Sequence, residues 1–243
     1  MDLRQLVIVS SKRDPVVGGL CKLFNLEVAF NDPGIIHFGL ENALLPIGRT
    51  FLEVISPVQD GTTAERFLNR RNGDGGYMII IQVDDFIESK NLVDTKKISI
   101  VWESTYPEAK AMHLHPKQMG GAILSLDYMD PPTTWKWAGD DWEKNINLDI
   151  VNSIRGVQIQ SNNPSKICGK WQSILGRQSL DNKIFLDNTW IEFIDYQDGR
   201  GEGIYSFDIQ VKDILAVKTR AKNLNFLIDN KINIGGVIFT LSS

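Results

Sequence analysis

The sequence predicts an α+β fold built from repeated β-α-β-β-β units and arranged as two domains. The first observation is residues 51–55 (FLEVI), where alternation places Phe51, Glu53 and Ile55 on one face of a strand. The second is residues 190–194 (WIEFI), which repeat that pattern. The third is that five blocks of the second half follow the order of five blocks in the first half. Together these observations predict an internal duplication.

The first unit opens with the apolar residues 3–10, which are predicted to form a buried strand. Asp14 is then predicted to cap a helix that has Pro15 at its first position, where the missing N–H of proline costs nothing. Apolar residues at three- and four-residue spacing give this helix one apolar stripe. Three further extended segments are predicted at 28–30, 35–45 and 51–57.

The second unit is predicted from residue 62 onward. Thr62 and Glu65 have the spacing of a capping box and predict a short basic helix that contains Arg71. Residues 77–83 then predict a buried strand, and Asp84-Asp85 marks the start of another helix or turn. Three more strands are predicted at 98–103, 112–114 and 121–126.

Residues 129–149 have no clear periodicity and are interpreted as a connection between two domains, 1–128 and 150–243. The first domain is expected to carry the pocket, and the second is shorter. The connection contains three tryptophans, which are expected to hold it against a domain surface. They are Trp135, Trp137 and Trp142.

The second half repeats the signals of the first half in the same order. The matching segments are 156–160, the Asn163-Pro164 helix start, 190–194, 203–211 followed by Asp213, and 235–241. Cys21 and Cys168 fall at corresponding places in the two predicted first helices. We interpret them as small core residues rather than as a disulfide, which is rare in cytosolic chains.

The composition indicates a soluble globular protein, with 42% hydrophobic and 23% charged residues. The chain has 26 basic and 30 acidic residues, so its net charge of -4 gives no general attraction to nucleic acid or to anionic lipid. No run of about 18 apolar residues predicts a membrane span, and no signal peptide is evident at the start. A cytoplasmic location is therefore expected.

Four features of the sequence resemble the vicinal oxygen chelate superfamily, which includes glyoxalase I, methylmalonyl-CoA epimerase, extradiol dioxygenases and bleomycin-resistance proteins. They are the strand before Asp14-Pro15, the Phe51-Leu52-Glu53-Val54 strand, the strand end Gln82-Val83-Asp84-Asp85, and the segment from His115-Pro116-Lys117 to Gly120-Gly121. The sequence looks most similar to uncharacterised glyoxalase-like members. The resemblance implies that paired βαβββ units form curled mixed sheets around a crevice, with strand residues facing inward to hold a divalent metal.

The resemblance also assigns metal-ligand positions to the first and last strands of each unit. In this chain those positions hold Gln5, Glu53, Met78 and Ser125 in the first domain, and Gly156, Glu192, Ser206 and Thr240 in the second. Gln5 and Glu53 could supply two ligands. The set is incomplete, because the Met78 thioether does not suit hard divalent ions and Ser125 is a weak neutral donor.

Glu53 is the principal catalytic candidate. A carboxylate on an apolar strand face is expected to lie in a pocket, as a general base or as an acceptor for a ligand hydrogen bond, with Gln5 as its partner. A partly solvated face at the mouth of the crevice is the simpler alternative.

Two histidines and an arginine complete the candidate site, and Gln5, Met78 and Ser125 are further candidates for substrate binding. His113 and His115 alternate around Leu114, so both imidazoles are expected on one side, His113 for substrate binding and His115 for acid-base catalysis. Pro116 leaves open that His115 instead caps a turn. Arg71 is a candidate clamp for a substrate carboxylate or phosphate, with an ordinary solvated helix face as the alternative.

Two functions remain open from the sequence. The first is a lyase or isomerase that acts on a small oxygen-bearing metabolite, with a divalent metal as an optional cofactor. The second is a metal-free protein that binds or sequesters a small molecule in an apolar crevice. Both have a small-molecule ligand as partner, and both leave a homodimer open. Whether the chain is an enzyme is not decided by these residues.

Overall fold

The computed structural model describes all 243 residues. It contains fifteen strands and five α-helices. The strands are β1 (Asp2–Val9), β2 (Leu40–Ile47), β3 (Thr50–Pro57), β4 (Gly75–Gln82), β5 (Ile100–Thr105), β6 (Ala109–Leu114), β7 (Ile123–Met129), β8 (Val151–Gln160), β9 (Ser179–Leu180), β10 (Lys183–Phe185), β11 (Trp190–Ile194), β12 (Gly203–Val211), β13 (Leu227–Ile228), β14 (Lys231–Ile234) and β15 (Val237–Ser242). The helices are α1 (Arg13–Phe24), α2 (Thr63–Arg71), α3 (Phe86–Thr95), α4 (Pro164–Leu175) and α5 (Ile214–Asn223).

These elements form four successive βαβββ modules, which confirms the predicted α+β fold class. The second module has the strand order β4-β7-β6-β5, the third β8-β11-β10-β9, and the fourth β12-β15-β14-β13. In each of them the first and last strands pair in parallel and the other pairs are antiparallel. The first module has the order β1-β3-β2, and an isolated bridge between Phe30 and Leu44 stands in for its missing strand.

The modules group into two compact units, each with segments from both halves of the chain. Unit 1 comprises 1–5, 77–136 and 156–205, and unit 2 comprises 6–76, 137–155 and 206–243. In unit 1, α3 packs against α4, and in unit 2, α1 packs against α5. Each unit therefore pairs one module from the first half with one from the second. The division into 1–128, 129–149 and 150–243 follows the repeat in the sequence and stays a prediction.

Aromatic side chains form the centre of each unit. In unit 1, the rings of Trp171 and Phe193 meet edge to face at 5.5 Å, and the Trp171 indole donates a hydrogen bond to the Met119 carbonyl at 3.0 Å. In unit 2, Phe239 lies 5.6 Å from Phe24 and 5.7 Å from Phe207. Both clusters are buried, so they contribute most through apolar area removed from water.

Corresponding hydrogen bonds occur in the two halves of the chain, as an internal duplication predicts. The Ser10 hydroxyl, just after β1, donates to the Asp74 carboxylate at 2.6 Å. The Ser161 hydroxyl, just after β8, donates to the Glu202 carboxylate at 2.9 Å. In each case a serine that follows the first strand of one module donates to the acidic residue that precedes the first strand of the next module.

Two local predictions were wrong. Helix α1 begins at Arg13, before the predicted cap, so Asp14 lies in the first turn, where it accepts a hydrogen bond from Arg13 Nε at 2.9 Å. The predicted strand 35–45 begins instead at Leu40. Residues Pro33–Phe38 form a 3-10 helix because Asp32 accepts from the Gly34 N–H and Gly39 ends the turn at φ 70°.

Most helix starts were predicted correctly. Thr62 accepts a hydrogen bond from the Glu65 N–H at 3.0 Å, as the capping box requires, while the Glu65 carboxylate accepts from the Gly61 N–H. Asp85 and Asp213 cap α3 and α5 at corresponding positions. None of the five α-helices combines the length and the apolar composition that a membrane-spanning helix requires.

The two cysteines are both free thiols. Cys168 is buried, as predicted for a small core residue, whereas Cys21 is only half-buried. Cys21 lines an open cavity of about 550 Å³ in unit 2, together with Lys22, Asn25, Arg220, Asn223 and Leu224. None of the predicted site residues lines this cavity.

Candidate functional site

Three of the predicted site residues of unit 1, Met78, His113 and Ser125, lie on one face of the second module. Along β4 and β7, the fully buried Ile79, Ile81, Leu124 and Leu126 alternate with a second set of side chains. Register places Ile80 opposite Ser125, Ser125 opposite His113, and His113 opposite Trp102. Residues directly opposite one another share a face of the sheet. We call this row, together with Met78 on the same face, the His113 face.

His113 packs against an aromatic ring rather than against a charged group. Its imidazole lies 4.4 Å from the Trp102 ring at an angle of 43°. Burial lowers the pKa of His113 from its ordinary 6.5 to about 4. The imidazole is therefore neutral near pH 7 and presents one N–H donor and one nitrogen acceptor.

The Ser125 hydroxyl is hydrogen-bonded to a neighbouring carboxylate. Its hydroxyl donates a short hydrogen bond to Asp127 Oδ1, and both side chains are buried. Period two places Asp127 on the His113 face, because β7 continues to Met129. A serine whose proton points to a carboxylate is not arranged as the nucleophile of a Ser-His-Asp system, in which histidine receives that proton.

Gln5 is held by the segment that follows β7. Its Oε1 accepts a hydrogen bond from Trp135 Nε1 at 2.9 Å, and both side chains are buried. The Arg4 guanidinium lies 4.4 Å above the Trp135 ring, and its Nη1 donates a short hydrogen bond to Gln82 Oε1. Gln82 in turn donates to the Pro132 carbonyl at 2.9 Å. As predicted, Trp135 holds the connection 129–149 against the strands.

His115 caps a turn, which was the alternative left open by Pro116. Its Nδ1 accepts a hydrogen bond from the Lys117 N–H at 3.2 Å at the start of the 3-10 helix Pro116–Gln118. This bond assigns the ring proton to Nε2 when the imidazole is neutral. An acid-base role for His115 stays a prediction.

Glu53 lies in unit 2 and is 6% exposed. Its Oε1 accepts a hydrogen bond from Asn42 Nδ2 at 2.7 Å. The Asn42 amide is oriented in turn, because its Oδ1 accepts the Asp32 N–H at 2.8 Å. On the same face of β3, Phe51 meets the buried Trp142 edge to face at 5.0 Å. The structure thus supports the predicted burial of Glu53 on an apolar strand face.

Arg71, also in unit 2, is buried. It is therefore not part of an ordinary solvated helix face, which was the alternative to a substrate clamp. It is 3% exposed, and its guanidinium lies 6.0 Å from the Phe67 ring. The neighbouring Arg70 is exposed. Because a guanidinium is rarely buried unless it is paired, Arg71 remains a candidate for binding a substrate carboxylate or phosphate. Of the predicted residues, unit 1 thus holds Gln5, Met78, His113, His115 and Ser125, and unit 2 holds Glu53 and Arg71.

The second copy of the Glu53 strand has a different environment. Register places Lys183 opposite Glu192, and their charged groups are 3.5 Å apart. Glu192 also accepts a hydrogen bond from Gln158 Nε2 at 2.8 Å. At the corresponding position opposite Glu53 the chain has Leu44. The carboxylate of the second copy is therefore paired with a lysine, and that of the first copy faces an apolar side chain.

The residues present do not fit a divalent metal. No group of three or more His, Cys, Asp or Glu side chains is arranged to hold an ion. At the four positions that the resemblance implies for the first domain, three side chains are hydrogen-bonded within the chain and the fourth is a thioether. Gln5 is bound to an indole, Glu53 to an amide and Ser125 to a carboxylate, and Met78 is the thioether. A catalytic ion needs three or four converging oxygen or nitrogen ligands and an open position.

Several residues of the site were not identified from the sequence, namely Arg4, Asn42, Trp102 and Asp127. For Asp127 a signal was present, because it lies two residues after Ser125 in a strand that was predicted to end too early. Asn42 and Trp102 lie beside Glu53 and His113 only through strand register, which no local pattern specifies.

Comparisons with known proteins agree with the fold. No protein-family model matches the sequence, and no curated protein matches it. A hypothetical protein from Staphylococcus aureus is similar over 99% of this chain and 98% of its own, with 13% identity and a TM-score of 0.66.

Methylmalonyl-CoA epimerases match about half of this chain. The enzyme from Mycobacterium tuberculosis covers 52% of this chain and 87% of its own, with 17% identity and a TM-score of 0.46. A Streptomyces coelicolor variant in complex with 2-nitronate-propionyl-CoA covers 52% and 96%, with 18% identity and a TM-score of 0.47. With four βαβββ modules and a structural match along its whole length, the chain has the paired βαβββ fold that the sequence predicts.

Proposed function

We propose that this protein acts on a small oxygen-bearing metabolite as an isomerase or lyase, with Glu53 as the general base. The observation that carries the proposal is the buried Glu53 carboxylate, held at 2.7 Å by an asparagine on a strand face with apolar neighbours. Burying a carboxylate is costly, so such a group is more often functional than incidental.

The comparison with Glu192 supports this choice of carboxylate. Glu192 has the same strand position but is paired with Lys183, whose ammonium nitrogen lies 3.5 Å from its carboxylate. Glu53 instead has the apolar Leu44 directly opposite and accepts a hydrogen bond from the Asn42 amide. The two copies of this strand therefore differ in what surrounds the carboxylate, and only the Glu53 copy places it opposite an apolar side chain.

The proposed chemistry is removal of a proton from a carbon next to a carbonyl group. Asn42 holds one carboxylate oxygen of Glu53, and this fixes the direction of the other oxygen. The Asp32 N–H fixes Asn42 in turn, so the carboxylate is positioned by two successive hydrogen bonds. Proton return to the opposite face of the same carbon gives an epimer, and departure of a group from the neighbouring carbon with its bonding electrons gives the unsaturated product of a lyase.

Hydrogen–deuterium exchange tests the proposal without knowledge of the product. The full chain is incubated in D₂O with small 2-oxo acids, hydroxy ketones and acyl thioesters, and exchange at the carbon is followed by NMR. General-base catalysis contributes about 10²- to 10⁴-fold, so Glu53→Gln is expected to slow exchange at least about 100-fold. Glu192→Gln is the matched control and is expected to exchange at the wild-type rate. Equal exchange in Glu53→Gln and the wild type would contradict the proposal.

A second function, binding or sequestration of an aromatic ligand, is favoured by the His113 face. Met78, Ile80 and Ile123 are 7 to 9% exposed, so this apolar surface is close to solvent, and Trp102 and the neutral His113 stand beside it. Aromatic compounds would then raise the melting temperature of the wild type but not of Trp102→Leu. Binding of this kind, with no exchange for any compound, would favour this function over catalysis.

A further inference from the structure

The only side-chain atom of Gln5 that suits a hard metal ion, Oε1, accepts a hydrogen bond from Trp135. The indole N–H is a donor with no acceptor capacity, so the 2.9 Å contact with Trp135 requires the oxygen end of the Gln5 amide to face the ring. A divalent ion at this position would need the same oxygen, because hard cations bind the amide oxygen and not its nitrogen.

The buried guanidinium of Arg4 contacts the same indole. The Arg4 guanidinium is 4.4 Å from the centre of the Trp135 ring, and Arg4 is 1% exposed. Arg4 precedes Gln5 in β1, and both contact the same indole. The indole that donates to Gln5 is therefore also held by a guanidinium, which has no lone pair for a metal ion.

The segment that carries the Trp135 indole is itself held against the strands. Gln82 connects the Arg4 side chain to the Pro132 carbonyl, three residues before Trp135. The strands therefore hold the segment at two points, Pro132 and Trp135. Neither contact requires a bound ligand or ion.

The Glu53 oxygen has an equivalent donor in unit 2. Asn42 Nδ2 contacts it at 2.7 Å, and the Asp32 N–H at 2.8 Å prevents the Asn42 amide from turning its oxygen toward the carboxylate. Both candidate metal ligands are thus held by hydrogen-bond donors of the chain. The two donors belong to different parts of the sequence, so they are independent observations.

We propose that this chain uses its own hydrogen-bond donors in place of the divalent metal of its fold, and that Trp135 is the positioning residue for Gln5. The connection 129–149 is then part of the functional site and not only a link between domains. This inference does not depend on the base chemistry proposed for Glu53, and its tests need no substrate.

Paramagnetic Mn²⁺ tests the first part of the proposal. The indole N–H signals of ¹⁵N-labelled full chain are assigned to Trp135 and Trp171 by their loss in Trp135→Phe and Trp171→Phe. Trp171 is the matched reference, because its indole is buried in the same unit and donates to a carbonyl at 3.0 Å. Both signals are expected to keep equal intensity as Mn²⁺ is added, and the purified protein is expected to contain no stoichiometric divalent metal. Selective broadening of the Trp135 signal, or one equivalent of metal, would overturn the proposal.

Two substitutions of Gln5 test the positioning role. Gln5→Glu strengthens the acceptor and is expected to move the Trp135 indole proton downfield, whereas Gln5→Met removes the acceptor and is expected to move it upfield. The Trp171 signal is expected to stay in place in both variants. A Trp135 signal that does not respond to either change would refute the assigned bond, even if Trp135→Phe itself fails to fold.

Discussion

The burial of His113 makes the stability of this protein depend on pH in a way that one substitution can remove. The folded-state pKa of His113 is about 4, below the ordinary 6.5 expected for the unfolded chain. Near pH 7.5 the imidazole is neutral in both states and contributes nothing to the pH dependence. Between these two pKa values only the unfolded chain binds the proton, so stability falls as the pH is lowered through this range.

The size of the effect follows from the two pKa values. At about pH 5 protonation of His113 lowers the free energy of unfolding by RT ln[(1 + 10^1.5)/(1 + 10^-1)], which is about 2 kcal/mol. Well below pH 4 the loss approaches about 3 kcal/mol, because each unit of pKa difference corresponds to about 1.4 kcal/mol. Other groups titrate in the same range, so the quantity to compare is a difference between variants.

The assay is urea unfolding of the wild type and His113→Phe at about pH 5 and about pH 7.5. Phenylalanine keeps a ring against Trp102 but cannot be protonated. The variant is expected to lose about 2 kcal/mol less than the wild type on acidification, by the linkage relation. His37→Gln is the control, because His37 is exposed, and it is expected to behave as the wild type. An equal loss of stability in the wild type and His113→Phe would refute the reasoning.

Two further predictions concern backbone geometry and helix capping. Gly121→Ala is expected to destabilise the protein by about 2 kcal/mol or more in urea unfolding, because a Cβ there would lie well inside 3.0 Å of the Glu202 carbonyl and φ is +87°. Gly199→Ala, with nothing within 4 Å, is its control, and equal stability of the two variants would contradict this account. Asp213→Ala removes the cap of α5 and is expected to cost about 1 kcal/mol, with Asp85→Ala giving a similar loss in thermal unfolding. Unchanged melting temperatures in both cap variants would show that these caps do not stabilise their helices.

The sequence predicted those parts of the fold whose signals are local. Helix caps such as Thr62 and Asp213 act within four residues, and alternation in β3 and β11 identifies a strand without knowledge of its neighbours. The 3-10 helix at Pro33–Phe38 was missed because its apolar residues imitate a strand. There the Asp32 cap and the preceding turn determined the structure, and the apolar run did not.

The candidate site was only partly predictable because its contacts join distant segments. Glu53 could be selected from its position in a strand, but its partner Asn42 depends on the register of β2 with β3. The bond between Gln5 and Trp135 joins residues 130 positions apart, and nothing near Gln5 in the sequence indicates it. Period two could place Ser125 and Asp127 on one face once the full length of β7 was known.

The composition of the two compact units has a consequence for breaking the chain. Each unit contains segments from both sides of residues 129–149. A cut in this stretch therefore gives two fragments that each lack part of both units, and neither fragment is expected to reach a stable structure alone. Mixed together, the fragments are expected to assemble and regain the native fluorescence spectrum, which would make this stretch a usable split point for a complementation reporter.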